Sequence, residues 1–286
     1  MKQFKKMLAL LLAAMTIFSL AACGSKDTAQ SGDAQGAADS TQNEEPKSKI
    51  DQIKEAGVLV VGTSADYPPF QFHTQVDGQD TIVGVEISIV QYIADDLGVD
   101  LKIVDMDFNA LVVSLAQGDF DIVASTMRPT EKRRESVDFS NAWHQNQNVL
   151  VVRKGEEDNY STPEDLAGHK VAAQTGASQY DTAVEYAGEA NVVGLNKVQN
   201  MILEVKTGKV DAVLLESLVA QAYAANNDDL SVVDVGFEKA MENASLGVQK
   251  GNEDFVEYLN EKIAEMTEKG LIEQYVADAQ ALADGE

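Results

Sequence analysis

The sequence predicts an α/β fold of two lobes, each a mostly parallel sheet flanked by helices. Three observations predict it. Short runs rich in Val, Ile and Leu alternate with stretches of helical periodicity along residues 49–286, which is how helix-covered parallel sheets read. That span is long enough for one large or two medium domains. A pattern of helix, Gly, short turn, Asp and apolar strand also occurs twice, in "SLAQGDFDIVAS" (114–125) and "EVKTGKVDAVLLES" (204–217). The repetition suggests two lobes built alike.

The elements follow in chain order. Lys2, Lys5 and Lys6 precede an apolar run from Met7 to Ala22. The run is too short and too abruptly ended for a membrane span of about 20 residues, and residues 1–22 read as a secretory signal peptide. It closes on "LAAC", and Cys23 is the only cysteine of the chain. This stretch resembles a bacterial lipobox, which implies cleavage before Cys23 and a lipid on its sulfur. The other reading is an ordinary signal with an incidental Cys. A lone Cys makes no internal disulfide. Residues 24–48 hold no large apolar side chain and cannot offset their ordering entropy by burial. With Cys23 they read as a flexible tether over 23–48, so the protein is expected to be anchored to a membrane without spanning it.

In the body, strands are expected at "VLVVGTS" (58–64), "LKIVDMD" (101–107), "FDIVAS" (120–125), "NVLVVRK" (148–154), "KVAAQTG" (170–176), "DAVLLES" (211–217), "LSVVDVG" (230–236) and "ASLGVQK" (244–250). "EISIVQYIADDLG" (86–98) carries apolar residues at helical spacing and a closing Gly98; "NALVVSLAQGD" (109–119) behaves alike. "STPEDLAG" (161–168) offers Thr162 as a cap and Pro163 at the first helical position. Residues 252–280 form a long helical stretch broken near Gly270.

Charge excludes one class of partner. The chain carries 47 Asp+Glu against 22 Lys+Arg, a net charge of −25, whereas a reader of phosphate backbones needs a basic face. Nucleic acid is therefore not expected, and solubility of an exported protein accounts for the acidity. Against that background "DIVASTMRPTEKRRESVDFS" (121–140) sets Arg128, Lys132, Arg133 and Arg134 directly after an apolar strand. The strand ends before Arg128 and after "DAVLLE" lie where open α/β sheets bind ligands. No GxSxG, Walker loop, HExxH or GxGxxG occurs. His73, His144 and His169 lack the spacing of a zinc site. No metal or cofactor is expected.

"GTSADYPPF" (62–70), "GVEISIVQYIADDLG" (84–98), "DFNALVVSLAQGDFDIVASTM" (107–127), "RPTEKRRESVDFS" (128–140), "TPEDLAGHKVAAQTGASQ" (162–179) and "GKVDAVLLES" (208–217) stand in a specific order and spacing. The set resembles the polar amino-acid-binding proteins of ABC importers, solute-binding proteins of family 3 with the type II periplasmic-binding-protein fold. The resemblance implies lobe one from residues 49–144 and 246–286, lobe two from 145–245, two hinge strands, and a ligand cleft closed by hinge rotation. It implies extracytoplasmic capture of a free amino acid by a monomer and delivery to an ABC permease. It also implies roles residue by residue. Arg133 stands where the family binds the ligand carboxylate, Glu216 where an acid, usually Asp, binds the ammonium, and Tyr67 and Phe108 where rings sandwich the side chain. Thr126 stands in the strand-end register. Ser178, in "QTGAS" before a helical run from Gln179, is either a carboxylate donor or a simple N-cap, or both. Lys132 and Arg134 are expected in solvent.

Two positions depart from the family. Arg128 replaces a Ser or Thr that touches ligand; it can point away, pair with an acid, or reach an acidic ligand. Ser64 replaces the Asp of binders of basic amino acids, although Asp66 lies close by. Together they favour a neutral polar or acidic ligand. The alternative on the same fold is a cyclohexadienyl-dehydratase-like enzyme with Glu216 or Asp66 as general acid. A receptor's sensing module would continue into a membrane span after "ADGE", so a stand-alone binder is expected.

Overall fold

A computed structural model of the chain describes residues 47–237 and 241–284. The expected signal peptide, Cys23 and the tether as far as residue 46 lie outside the described residues. The body opens with α1 (Lys49–Ala56) and β1 (Val58–Thr63). A separate antiparallel sheet follows, made of β2 (Asp66–Tyr67), β3 (Gln71–Val76) and β4 (Gln79–Val83). Next come α2 (Val85–Leu97), β5 (Asp100–Asp105), α3 (Phe108–Gln117), β6 (Ile122–Met127), α4 (Glu131–Arg134) and β7 (Val137–Phe139). The long β8 (His144–Arg153) leads into β9 (Val171–Gln174), α5 (Ser178–Ala187), β10 (Val192–Leu195), α6 (Val198–Lys206), β11 (Ala212–Glu216), α7 (Ser217–Ala225) and β12 (Leu230–Val233). The equally long β13 (Met241–Gln249) returns, and α8 (Glu253–Glu268) and α9 (Leu271–Asp284) close the chain.

The strand order divides this body into two lobes. One is β5-β1-β6-β13, with β7 also on β13; the other is β10-β9-β11-β8, with β12 also on β8. The two long strands join them, pairing antiparallel from Met241 opposite Gln147 to Ala244 opposite His144. The sheets are mixed. β1 is parallel to β5 and β6, and β9 to β10 and β11, as βαβ connections require. The two linking strands run antiparallel to their neighbours β6 and β11, because each leaves one lobe to enter the other.

Local chemistry explains most elements. Helix α2 buries Ile89, Val90, Ile93, Ala94 and Leu97 along one stripe, each large aliphatic contributing about 1.5–3 kcal/mol. It ends at Gly98, whose left-handed φ of 72° lets its N–H reach the Ala94 and Asp95 carbonyls. The helical stretch near the C-terminus breaks at Gly270, φ 67°. The segment after Thr162 is a single 3-10 turn, Pro163–Leu166, held by the Asp165 carboxylate accepting from the Ser161 and Thr162 N–H groups at 2.8 Å each.

Candidate functional site

The carboxyl ends of the central strands converge on one cavity. Ser64 follows β1, Ser125 and Thr126 lie in β6, Gln174 ends β9 and Glu216 ends β11; all five line it. The cavity encloses about 350 Å³, open solvent included, at the small end of small-molecule sites. Tyr67, Phe108, Thr126, Arg128, Arg133, Ser178 and Glu216 all line it as well. Residues up to 152 positions apart in sequence, from Ser64 to Glu216, thus share one wall system.

Arg133 is held from both lobes. Thr130 caps the short α4 and accepts from the Arg133 N–H at 3.3 Å. The Arg133 guanidinium donates to the Arg128 carbonyl at 2.6 Å and to the Gly176 carbonyl of the other lobe at 2.8 Å. Its Cζ stands 5.3 Å over the Phe108 ring, a cation–π distance. Lys132 and Arg134 are exposed, as expected, with Arg134 over Phe139. Arg128 is half-buried in the cavity wall. Phe108 opens α3 and belongs at once to the apolar cluster with Leu111 and Leu115 and to the cavity wall.

Ser178 is the first residue of α5; the cap position is Ala177, and no side chain caps this helix. The simple N-cap reading therefore fails, while Ala177, Ser178 and Gln179 at the start of the helix line the cavity. Glu216 is 2 % exposed and precedes α7.

Asp66 changes the meaning of Ser64. It is buried, lines the cavity, and accepts from Ser64 Oγ at 3.0 Å and from the Val198 N–H at 2.7 Å. Val198 is the first residue of α6, so the carboxylate meets a helix N-terminus across the cleft. Burial pushes the Asp66 pKa up; the Val198 N–H, the nearby Lys197 and Ser64 oppose the shift. The Asp66 carbonyl also accepts from Tyr223 Oη at 3.0 Å, and Asn196 Nδ2 donates to Asp107 at 2.9 Å. With Arg133 on Gly176, these bonds tie the lobes together: the cleft is closed.

Several cavity residues carried no signal in sequence. Gln71, Gln174 and Gln179 line the site, yet a lone Gln has no motif. Glu86, in the quoted "GVEISIV", is wholly buried and holds the Thr126 N–H at 2.5 Å; a carboxylate inside an apolar helical stripe was the available clue. His144 stacks on Trp143 and meets the Phe70 ring at a tilt of 53°, both at 5.5 Å between centroids. Among the described residues no group of three or more His, Cys, Asp or Glu could hold a metal.

A model of the bacterial extracellular solute-binding proteins, family 3, matches residues 59–278. The chain belongs to that family. It is 30% identical over 272 residues to the arginine-binding extracellular protein ArtP of Bacillus subtilis (strain 168), covering 94% of this chain and 96% of that one. The L-cystine-binding protein TcyJ of Escherichia coli (strain K12) is 28% identical over 225 residues, 78% of this chain and 83% of its own. Among solved structures, the amino acid ABC transporter substrate-binding protein AbpA of Streptococcus pneumoniae Canada MDR_19A, bound to L-arginine, superposes with a TM-score of 0.79. It is 33% identical, over 82% of this chain and 99% of that one. These relatives are named as amino-acid-binding proteins, and AbpA as the substrate-binding protein of an ABC transporter; none of the three is named as an enzyme, which speaks against the dehydratase alternative. No described helix is long and apolar enough to cross a membrane.

Proposed function

We propose that the protein captures a free amino acid in this cleft, arginine foremost, and hands it to an ABC importer. The observation that carries the reading is one cavity lined by Arg133 from one lobe and Glu216 from the other. A planar guanidinium matches an α-carboxylate, and the first turn of α5 at Ser178 adds N–H groups for the same anion. The Glu216 carboxylate matches the α-ammonium. Tyr67, Phe108 and Thr126 form walls for the rest. Asp66 supplies a carboxylate for a basic side chain, so Ser64 does not leave a guanidinium without a partner. The likeness to ArtP and to arginine-bound AbpA points the same way. Only the closed state offers both lobes at once, so ligand shifts the open–closed population. Three or four charge-assisted bonds of about 1.5–3 kcal/mol each, less ordering costs, are consistent with micromolar or tighter binding.

The second reading, a neutral polar or acidic ligand, rests on Arg128 in the wall and on the relative named for cystine. A thermal-shift screen decides between them. It would use arginine, lysine, ornithine, glutamine, glutamate, aspartate, cystine and prephenate, with calorimetry on the hits. Arginine should give the largest shift. Shifts with glutamate, glutamine or cystine alone would transfer the assignment to the second reading, and none with any amino acid would remove both. The same proposal has the protein outside the cytoplasm, lipid-anchored at Cys23 and monomeric. Cys23→Ala should then release it from the membrane fraction, and light scattering should give the mass of one chain.

A further inference from the structure

The inference starts from a buried carboxyl behind the cavity wall. Glu86 is the second residue of α2 and 0 % exposed. Its Oε2 accepts from the Thr126 N–H at 2.5 Å and lies 3.3 Å from Thr126 Oγ1. Thr126 has a φ of +49°, a left-handed conformation that costs a β-branched residue free energy and persists only where surroundings enforce it. The same Thr126 Oγ1 lies 3.1 Å from Gln71 Oε1, and Gln71 Nε2 lies 3.5 Å from Ser125 Oγ. Thr126, Gln71 and Ser125 line the cavity.

Proton counting restricts this chain. A threonine hydroxyl has one proton to give, and here it faces two acceptors, Glu86 Oε2 and Gln71 Oε1. Two arrangements satisfy the Thr126 hydroxyl and the Gln71 amide, and in both Glu86 Oε1 is buried without a hydrogen-bond partner. With Glu86 neutral, its carboxyl proton goes to Thr126 Oγ1, the hydroxyl proton goes to Gln71 Oε1, and the amide nitrogen faces Ser125. With Glu86 ionised, the hydroxyl donates to the carboxylate. Gln71 must then turn its amide over, so that Nε2 donates to Thr126 and Oε1 accepts from Ser125. The two amide ends have nearly the same shape, and only the network selects between them.

Resting on the amino-acid-binding reading above, we propose that Glu86 is a positioning residue that sets the donor and acceptor face of the cleft. It holds Thr126 in its left-handed turn and, through the Thr126 hydroxyl, decides which end of the Gln71 amide the ligand side chain meets. Burial pushes the Glu86 carboxyl up to about 8, against the pull of the Thr126 donors, so both arrangements fall within working pH. Thr126 from β6 and Trp143 before β8 are the groups that face it, and neither is charged. On the other elements packed against α2, His73, Asp80 and Asp105 are exposed and pair with one another, and Asp278 of α9 is exposed beside the half-buried Tyr275.

The test uses two readouts on the whole protein. The first is the side-chain amide resonance of Gln71 without ligand, assigned by its loss in Gln71→Met, followed from pH 6 to 9. The second is the Kd for arginine over the same range. Wild type should show the Gln71 resonance titrating and a Kd change of about three- to tenfold, the worth of one hydrogen bond. Glu86→Gln, a permanently neutral isostere, should show no Gln71 titration and only the part of the Kd change that Asp66 and the ligand ammonium contribute, so the wild-type to Glu86→Gln ratio of Kd isolates Glu86. A Gln71 resonance that ignores pH in wild type overturns the proposal even if Glu86→Gln fails to fold. A ratio of wild-type to Glu86→Gln Kd that stays constant across the range also overturns it and leaves amino-acid binding standing. If arginine does not bind but the resonance titrates in wild type alone, the positioning role stands and the arginine reading falls.

Discussion

Replacing Asp66 by Asn separates a basic ligand from a neutral one. The carboxylate has two donors, Val198 N–H at 2.7 Å and Ser64 Oγ at 3.0 Å. An Asn can keep both contacts: its Oδ1 accepts from Val198, and its Nδ2 donates to the serine oxygen, whose own proton is free to rotate. The closed cleft therefore survives and only the charge is lost. Losing the charge at the α6 N-terminus weakens closure by about 0.3–1 kcal/mol for every ligand, roughly two- to fivefold in Kd. Arginine also loses a charge-assisted partner worth about 1.5–3 kcal/mol, so its preference over glutamine should fall by about 10- to 150-fold. Calorimetry with both amino acids at pH 7 and fixed salt measures the ratio, with circular dichroism as the folding control. A second sign follows from the raised pKa of Asp66. Its carboxylate takes up a proton earlier than a solvated Asp as pH falls, so arginine affinity should drop on acidification in wild type and not in Asp66→Asn. An arginine-to-glutamine ratio unchanged within twofold would refute Asp66 as the side-chain partner.

Other outcomes follow from the same geometry. Arg133→Ala removes the lobe-to-lobe bond to Gly176 and the guanidinium in the cavity. Two charge-assisted bonds predict about a hundredfold or greater loss of affinity in a protein that still folds, and retained calorimetric binding would cancel the assignment. Gly84 has φ 128°, and a Cβ there would run into the Phe70 carbonyl. Gly84→Ala should cost about 3 kcal/mol or more and lower Tm by about 6 °C or more. The folded pKa of Glu86 is raised from 4.5 to about 8, so its neutral form is the one the fold prefers. Stability from this site is complete below about pH 4.5 and is lost as pH rises through about 8. Denaturant titrations of Glu86→Gln should be flatter than wild type over that window, by at most about 5 kcal/mol.

Much of the chain is legible because its signals are local. The Gly98 and Gly118 positions that end α2 and α3 can be read from the sequence, since a left-handed cap needs only the residue itself. The apolar runs of β1, β6, β9 and β11 are equally local. The hairpin of β3 and β4 was missed because "QFHTQV" alternates apolar and polar residues only at its start. Asp77 and Gly78, both with positive φ, were the turn signal that could have found it. β7 has three residues, too few to carry a period. The resemblance brought in Arg133, Glu216, Tyr67 and Phe108, which a bare reading of charge and aromatic content does not single out.

The sequence by itself determined the α/β class, the glycine-capped ends of α2 and α3, the net acidity and the apolar strands β1, β6, β9 and β11. Only the tertiary structure decided which polar groups meet. Asp66 and Val198 are 132 positions apart, and Glu86 and Thr126 are 40 apart. No periodicity links such pairs, because their contact depends on strand order and on the closure of one lobe on the other. That is why Ser64 reads in sequence as a missing carboxylate and in the structure as the hydroxyl that braces Asp66. It is also why Glu86 reads as one more residue of an amphipathic helix until the fold brings it under the cleft.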